Sequence, residues 1–274
     1  MDGRTANAGR RAGEVLGDGA VGTKLAKLRR WNVAMGILHL GQGAAMLLVS
    51  SAFALPVTAA FLYFNPMKQK LLPRPETLFE LRIGPMVAVF LFLSSIAHFL
   101  LALPRINSWY GRNLQRGMNP ARWMEYSLSS SVMIVVIAML VGIYDIASLV
   151  LLFALNACMI LFGWMMELHN QTTERTSWTS FGFGVFAGAV PWVAIGIYLF
   201  GSGGSQGGPP AFVYWIYLSI FVFFNVFAVN MVLQYRKIGR WRDYLYGERV
   251  YMILSLVAKS LLAWQVFAGT LRPV

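Results

Sequence analysis

One lysine, Lys259, lies inside an otherwise apolar run that covers residues 250–269. A lone ammonium group costs roughly 2.5–3.5 kcal/mol at the centre of a membrane helix, so it persists only where something compensates that cost. Lysine can form a Schiff base with an aldehyde, and burial favours the deprotonated amine that this reaction needs. The alternative is a structural lysine whose side chain extends to the membrane interface. Apolar-rich sequence on both sides of Lys259 favours the functional lysine.

A buried cation needs an anion beside it, and Glu125 is the only well-placed carboxylate in the first three predicted membrane spans. The alternative partner for Glu125 is Arg122, one helical turn earlier. Ser255 lies four residues before Lys259, on the same helix face, where its hydroxyl can hydrogen-bond the lysine nitrogen without neutralising it. We therefore predict that Glu125 is the counterion of Lys259 and that Ser255 is its neighbour.

Two pairs of polar residues have helical spacing in the first two predicted spans. His39 and Gln42 are spaced i, i+3, and Ser94 and His98 are spaced i, i+4, so each pair faces one direction. They predict either a polar, hydrated cavity near Lys259 or hydrogen bonds between helices, each worth about 1 kcal/mol or less. A metal site is disfavoured, because no third or fourth ligand is spaced to join the histidines.

The composition is that of an integral membrane protein. Of the 274 residues, 57% are hydrophobic and 12% are charged, against about 25% charged residues in soluble domains. Basic connections that face the cytoplasm and anionic membrane lipids explain the net charge of +12 better than nucleic acid does. The single cysteine, Cys158, lies in an apolar segment, so no disulfide framework is possible.

Seven stretches are long and apolar enough to cross the hydrocarbon core as helices, which takes about 20 residues each. They cover residues 31–53, 82–104, 121–143, 146–168, 178–200, 212–235 and 245–269. In the long first connection, residues 57–64 are apolar and predict a short strand or hairpin rather than a span. The predicted fold is an all-α, seven-transmembrane-helix bundle over residues 29–270, with a basic tail at 1–28 and a short tail at 271–274.

Basic residues predict the orientation of this bundle in the cell membrane. Sixteen Lys and Arg residues fall on the side of the N-terminus and five on the opposite side. The positive-inside rule then places the N-terminus in the cytoplasm and the C-terminus outside. Most seven-helix receptors and ordinary microbial rhodopsins run the other way, so the inverted orientation is a discriminating feature.

A lysine buried in the last helix of a multi-helix membrane protein indicates covalently bound retinal. Ligand pockets are mostly apolar with few polar groups, and residues 223–227, with Phe224 among them, are the best candidate wall. Asn156 and Trp192 are further candidates, as is Ser129 in the segment that follows Glu125.

Three segments resemble the heliorhodopsins: RWMEYSLS from Arg122, FFNVFAVNMVLQY ending at Tyr235, and SLVAKSLLAW from Ser255 to Trp264. The resemblance covers all seven spans. It implies all-trans retinal on Lys259, Glu125 as its counterion and Ser255 near the Schiff base. It also implies strands in the first extracellular loop, a homodimer, and a polar cavity formed by His39, Gln42, Ser94, His98, Ser260 and Trp264.

The acidic residues of a light-driven proton pump are missing. Ordinary microbial rhodopsin pumps carry a second acid four residues before the lysine, where this chain has Ser255, and a donor acid about three turns beyond the counterion, where residues 132–141 are apolar. We therefore predict a non-enzymatic photoreceptor with a slow photocycle and no net ion pumping, which signals to a cytoplasmic or membrane partner. The alternatives are a light-driven transporter or channel, and a retinal-free membrane protein in which Lys259 is a substrate-site charge.

Overall fold

A computed structural model describes residues 3–201 and 207–271 of the chain, with side chains described from Gly22 onward. Eight α-helices follow one another along the described residues, and a short 3-10 helix, Gly239–Arg242, lies between the last two. The α-helices are α1 (Gly3–Val49), α2 (Ile83–Ala102), α3 (Pro104–Gln115), α4 (Pro120–Leu140), α5 (Ile146–His169), α6 (Thr179–Gly201), α7 (Ala211–Tyr235) and α8 (Tyr244–Val266). All except α3 are long and apolar enough to cross a membrane, which confirms the predicted seven-span architecture.

The first connection is a β-hairpin, which resolves the alternatives left open by its sequence. Strands β1 (Ala54–Asn65) and β2 (Lys70–Arg82) pair antiparallel, with Ala54 opposite Arg82 and Asn65 opposite Lys70. The prolines of β2 are tolerated because a two-stranded sheet has two free edges, where a missing N–H costs no ladder bond. The Thr58 N–H donates to the Tyr144 carbonyl at 2.9 Å, so the hairpin is attached to the connection between α4 and α5.

Helix α3 was not predicted, because a 12-residue, mostly polar segment is too short for a membrane span. Pro104 occupies its first turn, where the missing N–H needs no partner. Tyr110 and Leu114, spaced i, i+4, are buried in a hydrophobic cluster with Leu28 of α1. Burial of the Tyr110 hydroxyl raises its pKa well above the usual range, so the phenol stays neutral.

The ends of α1 and α8 differ from the predicted bounds. Helix α1 begins at Gly3 rather than near residue 31 and ends at Val49, and its apolar span covers Gly22–Val49. A five-residue π-helical turn, Phe267–Leu271, continues α8. The predicted C-terminal tail falls mostly on residues 272–274, outside the described residues.

Helix α4 is the centre of the bundle, with 67% of the residues in its apolar window buried. Its second half, from Val132 to Met139, is entirely buried in the main hydrophobic core. We call the side of the bundle where α4 and α8 begin the basic end, and the side that carries the β-hairpin the hairpin end. The central position of α4 places any polar residue of its first half inside the protein.

Candidate functional site

The side chains of Lys259 on α8 and Glu125 on α4 form an ion pair inside the bundle. Lys259 Nζ donates to Glu125 Oε1 at 2.7 Å, and the two side chains are 4% and 10% exposed. Two serines complete the pair: Lys259 Nζ also donates to Ser255 Oγ at 3.0 Å, and Ser94 Oγ donates to Glu125 Oε1 at 2.6 Å. The buried lysine therefore has a charged partner and does not extend to the membrane interface.

The contact with Ser255 explains how the two charges meet although Glu125 is nearer the start of its helix than Lys259 is. Side chains on a helix point back toward its N-terminus. The long Lys259 side chain follows this direction and brings Nζ to the hydroxyl one turn earlier. The ammonium group consequently lies closer to the basic end, and to Glu125, than the Lys259 backbone does.

Arg122, the alternative partner of Glu125, binds two other carboxylates. Its Nη2 donates to Glu167 Oε1 at 2.7 Å and its Nη1 to Glu248 Oε1, and all three side chains are buried. The guanidinium carbon also lies 3.9 Å from the ring centroid of Tyr251, a favourable cation–π geometry. The interfacial Arg122–Glu125 pair is therefore absent, and both residues belong to buried clusters.

The sequence analysis missed Glu167 and Glu248 as buried groups. Glutamates near the ends of α5 and α8 are ordinary in a membrane protein, where helix ends reach the polar interface. Only tertiary packing brings them to one arginine of α4. A usable signal was their position inside apolar sequence, Glu167 after Met165 and Met166 and Glu248 ahead of residues 250–258.

Of the predicted polar residues of α1 and α2, Ser94 contacts Glu125, and His98 lines a small cavity that Glu125 also lines. His39 is fully buried and its ring stacks on that of His98, with centroids 5.7 Å apart. His98 Nδ1 lies 2.8 Å from Asn32 Oδ1. Trp264 Nε1 donates to Gln42 Oε1 at 3.2 Å, and the Trp264 side chain is largely exposed. Ser260 is half-buried next to Lys259 in sequence.

A cavity of about 60 Å³ lies beside Lys259 and shares a wall with a larger one of about 260 Å³ among α4, α5, α6 and α7. The shared wall consists of Tyr126, Met159, Ile160, Phe224 and Phe227. Ser129 lines the smaller cavity, and Trp192 the larger one. Asn156 instead donates to Ser130 and Ser131 at 2.8 and 3.0 Å, so it fixes α5 against α4.

The shape and lining of these cavities fit a long apolar ligand attached to Lys259. Aromatic and aliphatic side chains form most of the wall, as expected for an apolar ligand. Two glycines on the wall of the larger cavity let neighbouring side chains pack directly against the helix backbone. A Cβ at Gly163 would overlap the Trp123 ring, and one at Gly188 would overlap the Met159 side chain. Retinal, with its aldehyde at one end of an apolar chain, fits this arrangement of amine and cavity.

Comparisons with known proteins agree with this geometry. The family described as Heliorhodopsin matches residues 28–271, nearly the whole bundle. No curated protein matches the chain. Among solved structures, the transmembrane domain of the Salpingoeca rosetta rhodopsin phosphodiesterase is similar, with a TM-score of 0.62 and 13% identity over 92% of this chain and 87% of that one. A light-driven proton pump from Leptosphaeria maculans is also similar, with a TM-score of 0.59 and 12% identity over 88% of this chain and 94% of that one. At these identities the two structures support the fold alone.

Proposed function

Because this chain belongs to the heliorhodopsin family of retinal-binding, light-sensing membrane proteins, we propose that Lys259 is the residue to which all-trans retinal is attached. The observation that carries the proposal is the buried ion pair of Lys259 and Glu125 at the mouth of an apolar cavity. Bound retinal supplies the absorption of visible light and the change of shape that follows it. The protein residues hold, orient and stabilise the charge at the attachment point.

Glu125 acts in this proposal as the counterion of the proton on Lys259 Nζ. A positive charge in a low-dielectric interior is stabilised by an anion in contact with it. Ser94 orients the Glu125 carboxylate from α2. A protonated Schiff base carries one N–H, which Glu125 accepts in this proposal, and Ser255, 3.0 Å from Nζ, is a polar neighbour of the nitrogen. Tyr126, whose ring centroid lies 5.1 Å from Nζ, adds a cation–π contact on the side of the cavity.

The light signal in this proposal is conformational and involves no net ion transport. A pump needs acidic groups on both sides of the Lys259 nitrogen, so that a proton leaves in one direction and returns from the other. On the hairpin side of Glu125, α4 continues as buried apolar residues from Val132 to Met139. The same proposal includes a cytoplasmic N-terminus, a homodimer and a separate signalling partner, with no enzymatic activity in the chain itself.

Reconstitution with all-trans retinal tests the attachment site. The wild type should acquire a visible absorption band, and Lys259→Ala should not, because it removes the only amine in contact with Glu125 among the described residues. Lys27→Ala, at an exposed position on α1, is the matched control and should keep the band. A visible band in Lys259→Ala equal to that of the wild type would refute the proposal.

A further inference from the structure

A small cavity lies beside both the ion pair and the buried arginine cluster at the basic end. It measures about 30 Å³, and its wall includes Glu125, Glu248, His98 and Arg122. A buried water needs about 10–15 Å³ and two to four polar partners, so this cavity has room for a water bridging the two carboxylates. The cavity thus provides a path from Lys259, through Glu125, to a second acidic group.

The two carboxylates that bind Arg122 differ in how many hydrogen bonds they accept. Glu167 accepts four, from the Asn119 backbone N–H at 2.8 Å, Arg122 at 2.7 Å, Trp123 Nε1 at 2.6 Å and the Tyr244 hydroxyl at 3.1 Å. Its lone pairs are therefore largely occupied, and it does not line the small cavity. Glu167 is therefore the partner of Arg122 that we expect to stay ionised and hydrogen-bonded throughout.

Glu248 accepts three described hydrogen bonds, one fewer than Glu167. It pairs with Arg122 and accepts from Asn119 Nδ2 at 2.6 Å, and its third donor, Gln234 Nε2, is 3.4 Å away. Unlike Glu167, it borders the cavity that Glu125 also borders. Glu248 therefore has the access to the cavity that Glu167 lacks.

The charge balance of the cluster favours uptake of one proton. Two buried carboxylates face one guanidinium, and an excess buried charge is costly. The other titratable groups that face the cluster are Glu125 and His98, across the small cavity, and the phenols of Tyr110, Tyr126, Tyr244 and Tyr251. A proton on Glu248 would leave Arg122 and Glu167 as a balanced pair, so protonation removes the excess without breaking the cluster.

We propose that Glu248 is the transient proton acceptor of the light reaction. The proposal rests on the function proposed above. The N–H bond at Lys259 Nζ breaks, its electron pair stays on nitrogen, and the proton passes to Glu125. Glu125 hands a proton to the water of the small cavity, which passes one of its own protons to a Glu248 oxygen. The nitrogen and Glu248 end neutral, Glu125 ends ionised, and the return follows the same path, so no proton crosses the membrane.

Light-induced infrared difference spectroscopy on the reconstituted full chain tests this path. The wild type should show a transient carbonyl stretch of a newly protonated carboxylic acid, which moves to lower frequency in heavy water. Glu248→Gln should lose this band. Glu174→Gln, at an exposed position outside the cavity wall, is the control and should keep the band. A band of wild-type size in Glu248→Gln would overturn the proposal.

A second variant covers the case in which Glu248→Gln does not fold. Ala97 lines the cavity without carrying charge, and Ala97→Val should displace the water while leaving both carboxylates in place. The rise of the carbonyl band should slow by about tenfold, the effect of losing one hydrogen-bonded link in a relay. An unchanged rise would contradict the path. Failure of the visible band to form in the wild type would instead refute the proposed function itself.

Discussion

His39 of α1 and His98 of α2 stack face to face, with ring planes only 9° apart and centroids separated by 5.7 Å. Neither nitrogen of the buried His39 ring has a hydrogen-bond partner among the described residues. Buried polar nitrogens are normally paired, and ordered water is the usual partner where protein groups are missing. This supports a hydrated cavity near Glu125, whereas the contact of His98 with Asn32 also ties α2 to α1.

Replacing either histidine with alanine should change the rate of the photocycle without abolishing the pigment. Each imidazole lies near the ion pair but contacts neither Lys259 nor Glu125 through a described hydrogen bond, so the visible band should form. Because the two rings stack on each other, the single variants should shift recovery within about tenfold, and the double variant by more than either. Flash photolysis measures the recovery. Loss of the visible band in either single variant would contradict the prediction that the histidines affect only the rate of the photocycle.

Neutralising the counterion with Glu125→Gln should shift the visible band to the red. As the pH is raised, the variant should lose this band at a lower pH than the wild type does. The carboxylate stabilises the proton on Lys259 Nζ, so its removal lets the proton leave more easily, by about 1–3 pH units for a charge in direct contact. Absorption spectra recorded over a pH titration measure both effects. Glu80→Gln, on the exposed face of β2, is the matched control. An unchanged spectrum and titration in Glu125→Gln would assign the counterion to another residue.

The pairing of Lys259 with Glu125 could be predicted from the sequence, because a buried ammonium group needs an anion beside it. In the structure the two side chains are in contact. Seven apolar stretches and a strand-forming first connection were likewise visible in the sequence. The partners of Arg122 were not, because the choice between a carboxylate one turn away and two on distant helices depends on how α4, α5 and α8 pack. Helical periodicity also could not distinguish residues that line the cavity from residues that join two helices. Phe224 lines the cavity, whereas Asn156 hydrogen-bonds to α4.

Removing the guanidinium at the basic end should destabilise the fold more than any surface change. Arg122→Ala leaves the carboxylates of Glu167 and Glu248 buried without a cation, which costs about 3–5 kcal/mol. The temperature at which the retinal-loaded protein loses its visible band measures this loss. Arg112→Ala, on the exposed side of α3, should leave that temperature nearly unchanged. Equal temperatures for the two variants would show that the buried cluster adds no stability.

The basic end should face the cytoplasm and the hairpin end the outside. Sixteen basic residues against five set this orientation by the positive-inside rule. A cysteine added after Val274, in a Cys158→Ala background that removes the only native thiol, should react with an impermeant reagent in intact cells. A cysteine placed at Lys70 of the hairpin should react equally. Labelling of an N-terminal cysteine in intact cells, with neither of these two reacting, would reverse the assignment.

Illumination should produce no net ion transport, because α4 carries no carboxylate between Glu125 and the hairpin end. Helix α4 presents only buried apolar side chains from Val132 to Met139. The first acid beyond them along the chain, Asp145, accepts from the backbone N–H of Ser148 at 2.9 Å and so serves to cap α5. A proton released from Lys259 Nζ can therefore leave toward the basic end and must return from there. Cells in weakly buffered medium should show no sustained pH change under light, with or without a protonophore, and voltage clamp should show no steady photocurrent. A steady photocurrent, or a pH change that the protonophore abolishes, would demonstrate a second route for the proton and a transporting protein.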